Sequence, residues 1–366
     1  MTESRPARRA PAPGAVEAGR RLRLARLGSG LTQGQLAALC GISRQALAGA
    51  EAGSWSPSLG VALQLARVLG SSVDQIFGSD QAARPVVATS LGPTRPPARA
   101  RLAEVWDHWV ALPQVGDTAM IAGFTPADGR IADGNRAQLW GHGRSLVVAG
   151  CDPALPLLAA PVAATRSGWT VAWWPCSNHD ALRLLDQGLV HAAAVHLPVG
   201  SGGEGRSGRS LARIGFASWR EGVLLSRSGR SKRPRTLAGL LERKLRWVNR
   251  EVGSEARRLL DRELSRLGFP SGELDGYSSH AQGHLQVASA IASGIAEAGI
   301  ATEPAALLYG LDFLPLSDED CVLHVARARL DAPELRLLLA ALGGPTLGHE
   351  LASLPGYDPA ILGQEL

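Results

Sequence analysis

Residues 31–69, LTQGQLAALCGISRQALAGAEAGSWSPSLGVALQLARVL, alternate helix caps, short apolar runs and glycine turns. Thr32 can cap a helix that runs to about Leu39, Gly41 supplies a tight turn, and Ser43 caps a second helix that begins with Arg44 and Gln45. Ser56-Pro57-Ser58 then opens a further helix, Leu59 to Leu69. Two short helices joined by a glycine turn cross at a steep angle, so the pattern predicts a helix-turn-helix. In such a unit the first helix braces across a nucleic-acid backbone, and the second lays its N-terminal side chains along base edges.

Charge points the same way. The whole chain carries 38 Lys+Arg and 33 Asp+Glu, a net of +5. Residues 1–78 hold nine Arg, no Lys and four acids, so they carry 9 − 4 = +5 and the remainder sums to zero. Phosphate contacts dominate nucleic-acid affinity, so the surplus sits where a DNA reader needs it. Arg20, Arg21, Arg23 and Arg26 fall on the first helix, where a backbone would pass.

The order of these residues resembles the lambda repressor/Cro-like (XRE) DNA-binding domain over residues 16–78. The resemblance implies that Gln33, Arg44, Gln45 and Ala48 face DNA, with Ser43 capping the reading helix and Arg21 adding backbone charge. Gly49 and Ala50 depart from the family's commoner polar and Ile residues, which implies a smaller, less polar reading helix.

At 366 residues the chain has room for two or three domains. No apolar run of about 18 residues occurs, so no membrane span is expected, and the Arg- and Pro-rich start lacks the apolar core of a secretion signal. Cys40, Cys151, Cys176 and Cys321 are scattered without a CxxC pair. This argues for a reducing cytoplasm and against a zinc or disulfide framework, so no metal and no required cofactor are expected. Residues 1–15 read as a disordered arm, the four-proline stretch 79–98 as a linker, and 99–140 as a small β-containing connector around Trp106 and Trp109.

From about residue 141 to 366 strands alternate with helices, as in SLVVAG, TVAWWP and LVHAAAVHLP. Alternation at this spacing predicts a mostly parallel α/β sheet with helices on both faces. GVLLS, LLYGLDFLPL and CVLHVAR read as further strands. GCDPALPLL, Val195-His196-Leu197, RWVNREVGSEARRLLD, GYSSHAQGHLQVASAIASGIAEAGI, YGLDFLPL and GYDPAILG resemble the periplasmic-binding-protein-like domain, which is fused to XRE modules in bacterial regulators and related to molybdate receptors. That resemblance implies an α/β two-lobed (type II) domain with a ligand cleft. It also implies chain crossings between the lobes near Pro198–Arg213 and Ala305–Leu316.

Four loop-to-helix junctions offer free N–H groups and partial positive charge to an anion: Cys151-Asp152, Ser177-Asn178, Gly253-Ser254 and Thr302-Glu303. Arg250 and Arg257 can add full, bidentate charge, and His196 and His284 further donors. This set suits an oxyanion or a phosphate- or carboxylate-bearing ligand. Glu255 and Ala256 stand where the resembled family commonly has Gly-Thr, which places a carboxylate beside the anion site and disfavours a bare oxyanion such as molybdate. The basic run Arg227–Arg235 is either a solvated loop or a basic rim that recruits a phosphorylated ligand or DNA. Ser177, His179 and Asp180 lie too close along one helix start to form a catalytic triad, and no GxSxG, HExxH or P-loop occurs. A non-enzymatic homodimeric regulator that binds double-stranded DNA and a small effector is the expectation. A lobed domain that has lost its ligand and serves assembly is the alternative.

Overall fold

The computed structural model describes residues 13–78, 84–141, 143–165, 167–200, 210–227 and 234–366. The first twelve residues of the expected arm, most of the Gly200–Ser210 loop and most of the Arg227–Arg235 run lie outside them. The chain divides into two compact units, residues 1–84 and 85–366.

The first unit is all helical: α1 (Pro13–Gly28), α2 (Gln33–Leu39), α3 (Arg44–Glu51), α4 (Leu59–Val68) and α5 (Val73–Phe77). Thr32 and Ser72 form reciprocal capping boxes with Gln35 and Gln75, and Ser43 and Ser58 cap α3 and α4. Each cap satisfies an otherwise orphaned backbone donor at its helix start, so the expected helix starts hold. Gly41 takes φ +65° in the turn before α3. Leu22, Leu36, Leu47, Leu65 and Ile76 are fully buried and form the core. Ala50 belongs to that core and not to the exposed face, so its small size reflects packing. Gly19 lets α1 approach the end of α3: a Cβ there would lie 2.5 Å from the Glu51 carbonyl oxygen. The ordered unit begins at residue 13 rather than 16, because α1 extends over residues that composition alone reads as arm.

The second unit opens with β1 (Arg84–Val87), β2 (Thr89–Ser90), β3 (Ala98–Val105), β4 (His108–Pro113), α6 (Asp117–Ala122), β5 (Gly129–Asp133) and β6 (Arg136–Leu139). They form a six-stranded sheet in the order β1-β6-β5-β3-β4-β2. Of the stretch 79–98 read as a linker, residues 79–83 lie outside the described residues, and β1 and β2 occupy much of the rest. Of the four prolines in that stretch only Pro85 falls in a strand, and it sits in the edge strand β1, where a missing N–H donor is tolerated.

The remaining elements are β7 (Ser145–Ala149), α7 (Ala159–Ala164), β8 (Thr170–Trp174), α8 (Asn178–Asp186), β9 (Ala192–Pro198), β10 (Leu211–Leu225), α9 (Leu237–Leu241), β11 (Trp247–Arg250), α10 (Glu255–Arg266), β12 (His280–Ala281), α11 (His284–Ala292), β13 (Ala298–Thr302), α12 (Glu303–Leu308), β14 (Asp312–Ala326), α13 (Pro333–Leu342) and α14 (Pro345–Ser353). Their eight strands run in the order β12-β11-β13-β10-β14-β9-β7-β8. The outer pairs are parallel, but β10 and β14 pair antiparallel along 15 residues each and serve both lobes. The mostly parallel sheet is thus corrected at its centre. GVLLS and CVLHVAR are the ends of these two long strands, and LLYGLDFLPL is split between α12 and β14. The chain crosses between the lobes inside β10 and β14, with a register shift between Glu221 and Gly222, rather than in flanking loops. Polar residues in mid-strand, Ser218-Trp219-Arg220-Glu221 and Ser317-Asp318-Glu319-Asp320, broke the apolar runs that mark strands.

Each lobe carries an apolar core on both faces of its part of the sheet. The connector sheet joins one of these cores: Leu91, Val105, Val110 and Leu112 pack with Val147, Ala172 and Leu184 of the first lobe. His191 is sealed there, with Nδ1 accepting from the Val147 N–H at 2.9 Å and its ring edge-on to Trp106. Burial pushes its pKa down to about 4. A histidine held neutral in the fold stabilises above its unfolded pKa of about 6.5 and loses that contribution as pH falls towards 4. Acidifying from pH 7 to 4.5 is expected to remove about 2 kcal/mol through this group. Denaturant midpoints of the wild type and His191→Gln across that range check it: the variant should lack this part of the acid loss.

Candidate functional site

In the helical unit, Gln33, Arg44 and Ala48 line one hollow together with Arg23, Thr32 and Gly34. Ser43, Arg44 and Gln45 are exposed, and Ala48 is half-buried. The Ser43 hydroxyl accepts from the Ala46 N–H at 3.1 Å and fixes the start of α3. Gln33 is tied down, its Nε2 donating to Glu51 Oε2 at 2.8 Å. Three of the four α1 arginines have partners within the unit. Arg26 is buried and pairs with Glu51 at 2.6 Å while donating to the Leu31 carbonyl. Arg21 donates to the carbonyls of Ile76 and Gly78 and binds α1 to the end of α5. Part of its hydrogen-bonding capacity is thus used inside the unit. Arg20 pairs with Glu17, and Arg23 stays exposed at the hollow.

In the second unit a cleft of about 390 Å³ opens between the two lobes. Its walls come from three sources. The first lobe supplies Cys151, Trp174, Cys176, Ser177, Asp180 and Arg183, and the second supplies Arg250, Glu251, Val252, Gln282 and Gly283. The connector adds Leu91, Gly92 and the start of α6, Gly116-Asp117-Thr118 with Ile121. The connector also reaches the second lobe directly, through Gln286 Nε2 donating to the Met120 carbonyl at 3.2 Å.

Of the expected ligand residues, Cys151, Ser177 and Arg250 line this cleft. Ser177 caps α8, its Oγ accepting from the Asp180 N–H at 3.2 Å and donating to Asp180 Oδ2 at 3.0 Å. His179 beside it is exposed, so these three residues form a helix cap and not a relay. Arg250 is 1 % exposed and its guanidinium is engaged by Glu251, with Nε and Nη2 each 2.7 Å from a carboxylate oxygen. Glu251 Oε2 also accepts from the Gly283 N–H at 3.3 Å, just ahead of α11. A side-chain carboxylate thus occupies both an arginine and a helix N-terminus, the partners that an anionic ligand would use. Burial raises the Glu251 pKa, but Arg250 outweighs it and holds the carboxyl below its usual range.

The other expected residues stand behind the wall. Asp152 is buried, accepts from the Ala154 N–H at 2.6 Å and from the Tyr357 hydroxyl, and burial raises its pKa to about 6. Asp152 holds a loop and the C-terminal segment rather than opening a long helix: residues 155–158 form only a 3-10 turn. Asn178 clasps the backbone of His196, donating to its carbonyl at 2.7 Å. Ser254 spends its hydroxyl on the Glu251 carbonyl and the Arg257 N–H, capping α10. Arg257 donates to the Arg250 carbonyl and stacks over Tyr277 at 4.9 Å. Asp261 accepts from the Tyr277 hydroxyl at 2.8 Å. Glu255 is bound by Arg258 and Arg262, at 3.2 and 2.6 Å. Its charge is spent on its own helix, which removes the objection to an oxyanion drawn from it. Glu251, one residue beyond the arginine it occupies, faces the cleft together with Asp117 and Asp180.

His196 and His284 lie deeper, where β10 and β14 cross. The ligand atoms of Cys151, His196 and His284 lie within 4.8 Å of one another, as do those of His196, Glu221 and Glu319. Glu221 and Glu319 were missed in the sequence because each reads as a polar residue in a charged run.

A family model described as a PBP superfamily domain matches residues 159–343, and a helix-turn-helix domain model matches residues 17–76. The chain is 34% identical over 120 residues to the uncharacterized protein YvgK of Bacillus subtilis, covering 33% of this chain and 38% of YvgK. It is 33% identical over 107 residues to an uncharacterized protein in the 5′ region of a ferredoxin 2Fe-2S gene of Clostridium pasteurianum, covering 29% of this chain and 95% of that protein. The chain therefore spans well under half the length of YvgK. A putative phosphate ABC transporter substrate-binding protein from Clostridium perfringens, solved with bound phosphate, aligns with 58% of this chain and 98% of its own at 12% identity and a TM-score of 0.48. The restriction-modification controller protein C.AhdI of Aeromonas hydrophila aligns with 18% of this chain and all of its own at 36% identity and a TM-score of 0.18.

Proposed function

Because the chain belongs to the PBP superfamily and carries a helix-turn-helix domain ahead of that match, we propose that it is a transcriptional regulator that binds duplex DNA and senses a small anionic ligand. The observation that carries the ligand reading is the inter-lobe cleft, with Ser177 at the start of α8 and Arg250 in its walls. A ligand bearing phosphate, carboxylate or another oxyanion group takes Arg250 from Glu251 and draws the lobes together. A lobe movement of this kind alters the spacing of paired readers on half-sites about 34 Å apart. The regulator acts in the cytoplasm as a homodimer, and it binds its effector without turning it over. Among the described residues no helix is long and apolar enough to cross a membrane.

Glu251 is then an internal competitor. Glu251→Gln is expected to tighten anion binding about tenfold, or ~1.4 kcal/mol. Calorimetry and thermal shift of the full chain with phosphate, sulfate, molybdate and small phosphorylated or carboxylated compounds check this. The Arg250–Glu251 pair also favours a second reading, in which the pair is permanent and the lobed domain serves assembly. In that case neither the wild type nor Glu251→Gln shifts with any compound.

A further inference from the structure

We propose that the chain binds a divalent first-row transition-metal ion in the buried cluster at the strand crossing, held by His196, Glu221 and Glu319. His196 lies on β9 in the first lobe, Glu221 sits at the register shift of β10, and Glu319 lies on β14, which pairs with both strands. His196 Nδ1 stands 3.4 Å from Glu319 Oε2 and 4.0 Å from Glu221 Oε2. With metal–ligand bonds of about 2.0–2.2 Å, neighbouring ligand atoms of a tetrahedral site lie roughly 3.3–3.6 Å apart. The first spacing already fits, and the second needs a side-chain shift of about half an ångström on that same geometry.

The independent sign of a missing partner is Glu221. It is 0 % exposed, and neither carboxylate oxygen has a hydrogen-bond partner. A buried carboxylate without donors is costly, and a cation answers it. Two carboxylates and a neutral imidazole carry −2, which a divalent ion balances, and an N/O donor set suits zinc and its first-row neighbours. Ser317 Oγ donates to Glu319 Oε1 at 2.6 Å and orients that carboxylate, as outer partners of metal ligands do.

Cys151 and His284 lie beside this triad without joining it. Arg250 Nη1 is 2.9 Å from His284 Nδ1. A guanidinium only donates, so Nδ1 accepts and Nε2 keeps its hydrogen, leaving no free lone pair on the ring. The charge of Arg250 is returned by Glu251.

The site stands independently of what fills the cleft. The test uses the full chain, stripped with chelator and titrated with Zn²⁺ alone by calorimetry, then with Co²⁺ followed by absorption. One ion per chain, a higher melting temperature and cobalt bands without sulfur-to-metal charge transfer are expected. Glu221→Gln keeps the shape and removes the charge. It should weaken metal binding at least tenfold while raising the metal-free melting temperature. Glu319→Gln repeats the loss of binding should the first variant fail to fold. Absence of stoichiometric binding, wild-type affinity in both variants, or a sulfur charge-transfer band would each overturn the assignment.

Discussion

Glu51→Ala is expected to unfold the helical unit at temperatures where the second unit stays folded. Glu51 ends α3 and receives Arg26 from α1 at 2.6 and 3.2 Å and Gln33 from α2 at 2.8 Å. One carboxylate therefore joins three of the five helices. Both charged side chains of the pair are almost sealed, with 8 % and 4 % exposure. Removing the acid leaves a buried guanidinium with only the Leu31 carbonyl to meet it. Breaking a buried pair by deleting one partner costs about 3–5 kcal/mol. A domain of this size has a total stability at the low end of about 5–15 kcal/mol, so the loss consumes most of it. Thermal melts should show an early transition for residues 13–78 and an unchanged later one, with proteolysis confined to the first unit. Glu51→Gln keeps the hydrogen-bonding shape and should cost less. An unchanged first transition in Glu51→Ala would show that the pair is not holding the helices.

Replacing Arg44 and Gln45 together by alanine should leave stability alone and remove sequence preference. Both are exposed at the start of α3, beyond the Ser43 cap, and neither is buried in the core. Each bidentate base contact contributes about 1–3 kcal/mol of discrimination, so the double variant should bind its preferred duplex about 2–6 kcal/mol more weakly. Binding to unrelated duplex should weaken far less, because phosphate contacts supply that part. Competition between a selected duplex and random DNA, with wild type and variant at one fixed salt concentration, measures this. Equal loss on both sequences would assign the two side chains to the backbone instead.

The helical unit was almost wholly legible in the sequence, since its signals are local. Thr32, Ser43 and Ser58 cap the helices that follow them, and the glycine turns lie within a few residues of both partners. What sequence could not reveal there was the use of charge. Arg21 and Arg26 look like surface cations on α1, yet their partners lie 55 and 25 residues away. The α/β character was legible through strand-helix alternation and the two lobes through the family resemblance, but the centre of the domain was not. β10 and β14 carry polar side chains in mid-strand because the lobes meet there, and a half-polar strand has no apolar run to announce it. The same cause hid Glu221 and Glu319. In the cleft, helix-start chemistry located Ser177 and the strand end located Arg250. Their neighbours from α6 belong to the connector, more than 50 residues upstream of Ser177, and no local pattern links them. Glu251 follows Arg250 directly in the sequence, but its second bond to Gly283 depends on a fold-level approach.

The central claim is that the helical unit delivers this chain to duplex DNA. Its most direct test is the binding of the purified full chain to a random-sequence duplex, titrated from 50 to about 200 mM salt. Binding at low ionic strength is expected, with the logarithm of affinity falling linearly against the logarithm of salt as Arg23, Arg44 and their neighbours displace counterions. A folded protein that ignores duplex DNA at the lowest salt, or binds it with no salt dependence, would contradict it.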